Sequence, residues 1–262
     1  MHSREEKMQA FGRLLDIMDE LRVKCPWDRK QTNESLRPQT IEETYELSDA
    51  ILKNDHHEIC KELGDLMLHV VFYSKIGEEN GEFDAADMIN HLCEKLIYRH
   101  PHVFGSVHVD GTSEVLANWE TLKQKEKHQQ TAADTLRAVP KAFPALMRSC
   151  KIQKRAARVG FDWANAADTL PKVHEEAYEV LEALNSGDKA AVAEEIGDLL
   201  FACVNTARKV GVDPELALAA ATHKFTDRFI RMEELILSEG GCFADMTLEQ
   251  MDSYWDRIKK VN

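Results

Sequence analysis

Apolar residues along this chain recur every three to four positions rather than every second one. Leu63, Leu66, Met67, Val70 and Val71 mark one such stretch, and Ile196, Leu199, Leu200, Cys203 and Val204 mark another. That spacing lines up side chains on one face of a helix, whereas a half-buried strand would alternate. Runs of alternating β-branched residues are missing, so the pattern predicts an all-α fold.

The pattern also repeats. Positions 38–73 lie over 171–206 without a gap, and a third of the paired positions are then identical. The matches include Pro38/Pro171, Glu42/Glu175, Glu43/Glu176, Tyr45/Tyr178, Glu46/Glu179, Glu62/Glu195, Gly64/Gly197 and Asp65/Asp198. With small changes of offset, Lys95 and Arg99 fall on Lys224 and Arg228, and Trp119 and Lys123 on Trp255 and Lys259. The polar run from His128 to Asp134 lacks apolar periodicity and reads as a linker. Two domains are therefore expected, 1–130 and 131–262.

Each half carries Glu-Glu-x-x-Glu and, further along, Glu-x-x-Asp. Residues three apart are neighbours on a helix, so Glu43 pairs with Glu46, Glu62 with Asp65, Glu176 with Glu179 and Glu195 with Asp198. On one straight helix the pairs of each half would lie roughly 24 Å apart. The turn formers Lys53-Asn54-Asp55 and Asn185-Ser186-Gly187-Asp188 let a second helix fold back instead. Four carboxylates then converge between two helices.

Such a cluster repels itself, and a hard divalent cation relieves it; all-oxygen ligation suits Mg²⁺ or Mn²⁺. Mg²⁺ normally shares its shell with substrate phosphates, which points to phosphoanhydride chemistry. A lone Glu-Glu-x-x-Glu is usually a solvated helix face; the same five acids at the same spacings twice over argue for a site. A ferritin-like di-iron centre needs Glu-x-x-His, and none of the 11 histidines has a Glu three residues before it. In Arg99-His100-Pro101-His102 the proline predicts a loop.

Composition narrows the partners. The formal charge of −13 over 262 residues opposes nucleic acid as the main ligand. The halves share it unequally: 16 Lys and Arg face 25 Asp and Glu in residues 1–130, against 17 and 21 in 131–262. An anionic substrate is therefore expected to prefer the second half. Six scattered cysteines read as reduced thiols, residues 1–15 are too charged for a signal peptide, and no apolar stretch is long enough to cross a membrane. A cytoplasmic protein without membrane contact is expected.

Cys25-Pro26-Trp27-Asp28, Glu42-Glu43-Thr44-Tyr45-Glu46, Glu62-Leu63-Gly64-Asp65, Arg99-His100-Pro101-His102-Val103-Phe104, Val159-Gly160-Phe161-Asp162-Trp163 and the second acidic set together resemble the two-domain MazG nucleoside triphosphate pyrophosphohydrolases over nearly the whole chain. The resemblance implies two helical bundles of the all-α NTP pyrophosphohydrolase type, assembled as a homodimer. It also implies Mg²⁺-dependent cleavage of a nucleoside triphosphate between the α and β phosphates, credited mainly to the C-terminal half. By position, Glu176, Glu179, Glu195 and Asp198 would ligate the metal, with Glu43, Glu46, Glu62 and Asp65 as the corresponding set of the first half. Glu175 would orient the attacking water, and the nucleotide contacts fall on Lys172, Lys224, Arg228 and Trp255. The alternative is a nucleotide-binding or regulatory helical module without turnover.

Overall fold

The computed structural model describes residues 1–126 and 131–259. The proposed boundary near 130, with His128, Gln129 and Gln130 of the expected linker, lies outside the described residues. Among those that are described, the secondary structure is helical, with no strand. The chain forms two compact units, Met1–Lys123 and Gln124–Asn262.

In unit 1, α1 (Arg4–Lys24) leads through a 3-10 turn to the hairpin of α2 (Asn33–Leu52) and α3 (His56–Glu79), and α4 (Ala85–Arg99) follows. The expected turn at 53–55 is there. Asn54 has φ 54°, a left-handed conformation that asparagine tolerates, and the Asp55 side chain accepts from the amides of His57 and Glu58 to start α3. Upstream, Thr32 and Ser35 form a capping box for α2. Pro101 does not leave a loop, as the sequence suggested. It opens one helical turn, α5 (Pro101–Phe104), because proline fits the first position, where its missing N–H costs nothing. The last helix is α6 (Thr112–Glu126).

The core of unit 1 lies where α1 crosses the hairpin: Met18, Leu36, Val71, Phe72 and Ile76 are buried together, with Phe11, Leu14, Leu15, Leu68 and Tyr73 packed around them. Met18 is 1% exposed. Met18→Ala is expected to lower unfolding stability by about 3 kcal/mol, read as a shift of the urea midpoint at unchanged slope.

Unit 2 reuses the plan. After α7 (Ala132–Arg137), α8 (Ala145–Ala157) packs against a second hairpin, α9 (Leu170–Ser186) and α10 (Lys189–Lys209). Gly187, at φ 73°, ends α9, and Asp188 caps α10 through the Ala190 amide. The longest helix, α11 (Pro214–Ser238), then packs on α12 (Leu248–Lys259). Met232, Ile236 and Ile258 are buried between these two, with Trp255 beside them.

Candidate active site

Helix spacing puts one acidic pair on each arm of each hairpin, and the fold-back brings the arms together. In unit 2, carboxylate oxygens of Glu176 and Glu179 on α9 and of Glu195 on α10 lie within 4.8 Å of one another. In unit 1 the same holds for Glu43 on α2 with Glu62 and Asp65 on α3. Glu46 and Asp198, the fourth member of each set, fall outside that radius and are exposed. Asp198 nevertheless borders the same cleft as Glu176 and Lys172. Glu46 borders an open groove of 640 Å³ with Glu42 and Glu62.

The two sets bury different members. Glu176 is the deep carboxylate of unit 2, whereas unit 1 buries Glu62, which is the counterpart of Glu195. Each meets one lysine. Lys172 Nζ donates to Glu176 at 2.6 Å and to Glu175 at 2.8 Å, while Lys61 Nζ donates to Glu62 at 2.8 Å. These bonds hold both ammonium groups above the usual lysine range. The other oxygen of each deep carboxylate, Oε2 of Glu176 and of Glu62, is buried without a hydrogen-bond partner among the described residues.

Crowding shows in the proton affinities. A hydrogen bond with Glu176, then burial and the charges of Glu176 and Glu195, push the Glu179 carboxyl up, against the opposing pull of Lys172. Burial, then the charges of Asp65, Glu46 and Glu62, push Glu43 up. Carboxylates packed this closely need a proton or a cation among them. An all-oxygen donor set with a desolvated, partnerless oxygen fits a hard divalent cation.

Glu175 stands beside this set, exposed and tied to Lys172. Lys224, Arg228 and Trp255 lie elsewhere in unit 2: they are on α11 and α12 and do not line the cleft at Glu176. Trp255 packs against Phe225 with ring centroids 5.2 Å apart, and Arg228 Nε is buried without a hydrogen-bond partner among the described residues. The cleft is instead walled by residues that the sequence did not mark as ligands: Gln153, Phe161, Trp163, Phe201, Asn205 and Arg208. Phe161 and Trp163 stand in a visible motif, but the loop that carries them is tied to α10, distant in sequence, through the Asp162 carboxylate and the Trp163 carbonyl.

Duplicated helical hairpins, each closing on acidic oxygens, define a class of helical proteins with two candidate sites for a hard cation. The MazG nucleotide pyrophosphohydrolase domain matches the chain twice, at residues 31–104 and 165–231. The chain is 43% identical over 258 residues to the nucleoside triphosphate pyrophosphohydrolase of Escherichia coli, covering 97% of this chain and 98% of that one. It is also 43% identical over 251 residues to the nucleoside triphosphate pyrophosphohydrolase/pyrophosphatase MazG of Thermotoga maritima, covering 95% of each. A solved MazG-related protein from Thermotoga maritima aligns at 27% identity with 43% of this chain and 98% of its own, with a TM-score of 0.39. The chain belongs to the MazG nucleotide pyrophosphohydrolase family, a family of hydrolytic enzymes.

Proposed function

We propose that this protein hydrolyses nucleoside triphosphates between the α and β phosphates, giving the monophosphate and pyrophosphate, with its main site in unit 2. The observation that carries the reading is the meeting of Glu176, Glu179 and Glu195 oxygens with a buried, partnerless Oε2 on Glu176. Glu176, Glu179, Glu195 and Asp198 hold Mg²⁺, or Mn²⁺ in its place. A bound ion of this kind supplies charge neutralisation at phosphate oxygens. Lys172 is already within reach of that carboxylate set and adds a second positive charge beside the phosphates. Glu175 orients the attacking water, accepting a hydrogen bond from it. Lys224, Arg228 and Trp255 are carried over as nucleotide contacts from the family resemblance. The set Glu43, Glu46, Glu62 and Asp65 binds a cation in unit 1, where no lysine takes the place of Lys172, since Gln39 stands there. The domain bounds that go with this reading are 1–130 and 131–262.

The test is a panel of ribo- and deoxynucleoside triphosphates with pyrophosphate detection. Release that needs added Mg²⁺ and disappears with a chelator supports the reading; tight nucleotide binding without pyrophosphate or phosphate release would identify a binding module instead.

A homodimer belongs to the same proposal. Tyr178, Leu181, Leu184, Ile196 and Leu200, the last two interleaved with Glu195 and Asp198, are all exposed on the α9–α10 hairpin of a single chain. An apolar face of this extent is covered in solution by a partner, and the family resemblance makes that partner a second copy. Sedimentation is expected to give about twice the 29.8 kDa chain mass. The cytoplasm is the proposed location, in keeping with six cysteines that are all unpaired thiols. No described helix is long and apolar enough to cross a membrane.

A further inference from the structure

One stretch of unit 2 runs against the charge of the chain. Residues 135–161 hold seven Lys and Arg and no Asp or Glu, in a sequence whose formal charge is −13. Arg148, Lys151, Arg155 and Arg158, spaced by three, four and three, fall on one face of α8 and its C-cap, with Lys154 beside them. Arg148, Lys151, Lys154 and Arg158 are exposed. Among the described residues, no ion pair joins Arg148, Lys151 or Lys154 to an acidic side chain. The opposite face of α8 looks inward: Cys150 and Gln153 are buried, and Ile152, Gln153 and Ala156 wall the cleft that reaches Lys172, Glu176 and Asp198. In unit 1, α1 takes the equivalent position, packed on α3 as α8 is on α10, and there five acids stand against five bases. Its Asp19 pairs with Lys75 and its Glu20 with Lys24, and on α3 the place of the cleft-lining Asn205 is taken by Phe72, 2% exposed in the core.

We propose that the outer face of α8 steers polyanions toward unit 2: Arg148, Lys151 and Lys154 speed the encounter of the anionic substrate with the protein and do not touch it once it is bound. The inference rests on the triphosphate reading of the acidic set. Electrostatics at the site oppose that encounter. An approaching triphosphate faces Glu175, Glu176, Glu179, Glu195 and Asp198, and a divalent ion among them cancels only part of their charge. The cations beside these acids are already engaged: Lys172 with Glu175 and Glu176, and Arg208 and Lys209 with Asp162. A cation paired at hydrogen-bond distance has little field beyond its partner, whereas an unpaired one acts over a Debye length, about 8 Å at physiological ionic strength. A helix with its side chains is about 10 Å across, so the outer charges of α8 stand within roughly two such lengths of the cleft that its inner face walls. At that range a local basic face outweighs the net charge of the whole chain. Fields of this kind raise association rates by roughly ten- to a thousandfold and weaken with salt, and three cations on a helix flank belong near the lower end.

The experiment follows, by stopped flow on the full chain in Mg²⁺, the association of a fluorescent N-methylanthraniloyl derivative of α,β-methylene ATP, whose bridging carbon resists cleavage. At an ionic strength of about 0.02 M the Debye length is roughly 20 Å. There the triple variant Arg148→Gln, Lys151→Gln, Lys154→Gln is expected to associate about tenfold more slowly than wild type, with the dissociation rate constant and kcat for ATP within about twofold. At about 0.5 M salt the two association rates should converge. The triple variant Arg148→Lys, Lys151→Arg, Lys154→Arg keeps the charge and exchanges the shapes, so it should follow wild type at every salt concentration. Lys151→Gln alone, the mildest change, should slow association about twofold at low salt. Equal association of the Gln variants and wild type at low salt, a loss carried by faster dissociation, or a loss that persists at high salt overturns the steering alone. A wild-type chain that binds no analogue and releases no pyrophosphate from ATP overturns the triphosphate reading, and the steering with it.

Discussion

Glu176→Ala is expected to abolish metal-dependent pyrophosphate release, lowering kcat/KM by about a thousandfold or more. Losing a ligand to a cation that stabilises the reacting phosphates removes several kcal/mol of transition-state stabilisation, and every loss of about 1.4 kcal/mol is a decade in rate. Glu176 is the member of its set for which the effect should be largest, since it is buried and presents an oxygen without a hydrogen-bond partner among the described residues. The same substitution should leave the metal-free protein no less stable. It removes a like charge from Glu179 and Glu195, and Lys172 keeps Glu175 as a partner. A thermal midpoint held in chelator, beside a lost activity in Mg²⁺, would separate a functional carboxylate from a structural one. Asp198→Ala should follow in activity, by a smaller factor given its exposure. Retained full activity in both variants would sink the assignment. Glu43→Ala and Asp65→Ala then ask what unit 1 contributes. Its counterpart of the cleft is occupied by Phe72, His69 and Tyr73, so these changes are expected to cost activity less than tenfold.

Much of this was readable from residue order, for a definite reason. Helical periodicity and turn chemistry are local, so the hairpins closing at Asn54 and Gly187 follow from a few adjacent residues. Convergence of the acidic pairs follows from those hairpins. Spacing does not determine how far each helix is rotated about its axis, however. That rotation puts three carboxylates of each set together, leaves Glu46 and Asp198 outside, and buries Glu62 in one repeat but Glu176 in the other. Ile196 and Leu200 belong to the apolar helical spacing, yet in a single chain they are exposed; apolar spacing marks a face to be covered without saying by what. The cleft is not legible in the identities that reveal the duplication. Its signal lies in the mismatches, above all Phe72 against Asn205, and its wall depends on ties between Asp162 and α10 across 46 and 47 residues.

Those ties lead to the other large effect. Arg208, whose side chain is 9% exposed, donates to both carboxylate oxygens of Asp162, one of them at 3.2 Å, and to Asn205 Oδ1. Lys209 adds bonds to Asp162 at 3.2 Å and to the Trp163 carbonyl at 2.6 Å. Together they pin the loop carrying Phe161 and Trp163 to the end of α10. Arg208→Met should therefore destabilise unit 2 by about 2 kcal/mol, below the roughly 3–5 kcal/mol of a fully buried pair because Asp162 is partly solvated. It should also loosen the cleft wall beside Glu176 and Lys172, raising KM for nucleoside triphosphates about tenfold with little change in kcat. The pH dependence supplies an independent check. The hydrogen bond from Arg208, with help from Lys209, holds the Asp162 carboxyl at about 2, below its ordinary 3.8. A carboxyl depressed by folding stabilises the protein above its unfolded value, and that contribution disappears as pH falls through the folded one. Measured as a difference between wild type and Asp162→Asn, the stabilisation should be complete above about pH 5 and shrink from about pH 4 toward pH 2. A difference that stays constant over that range would mean that the ion pair does not hold the loop.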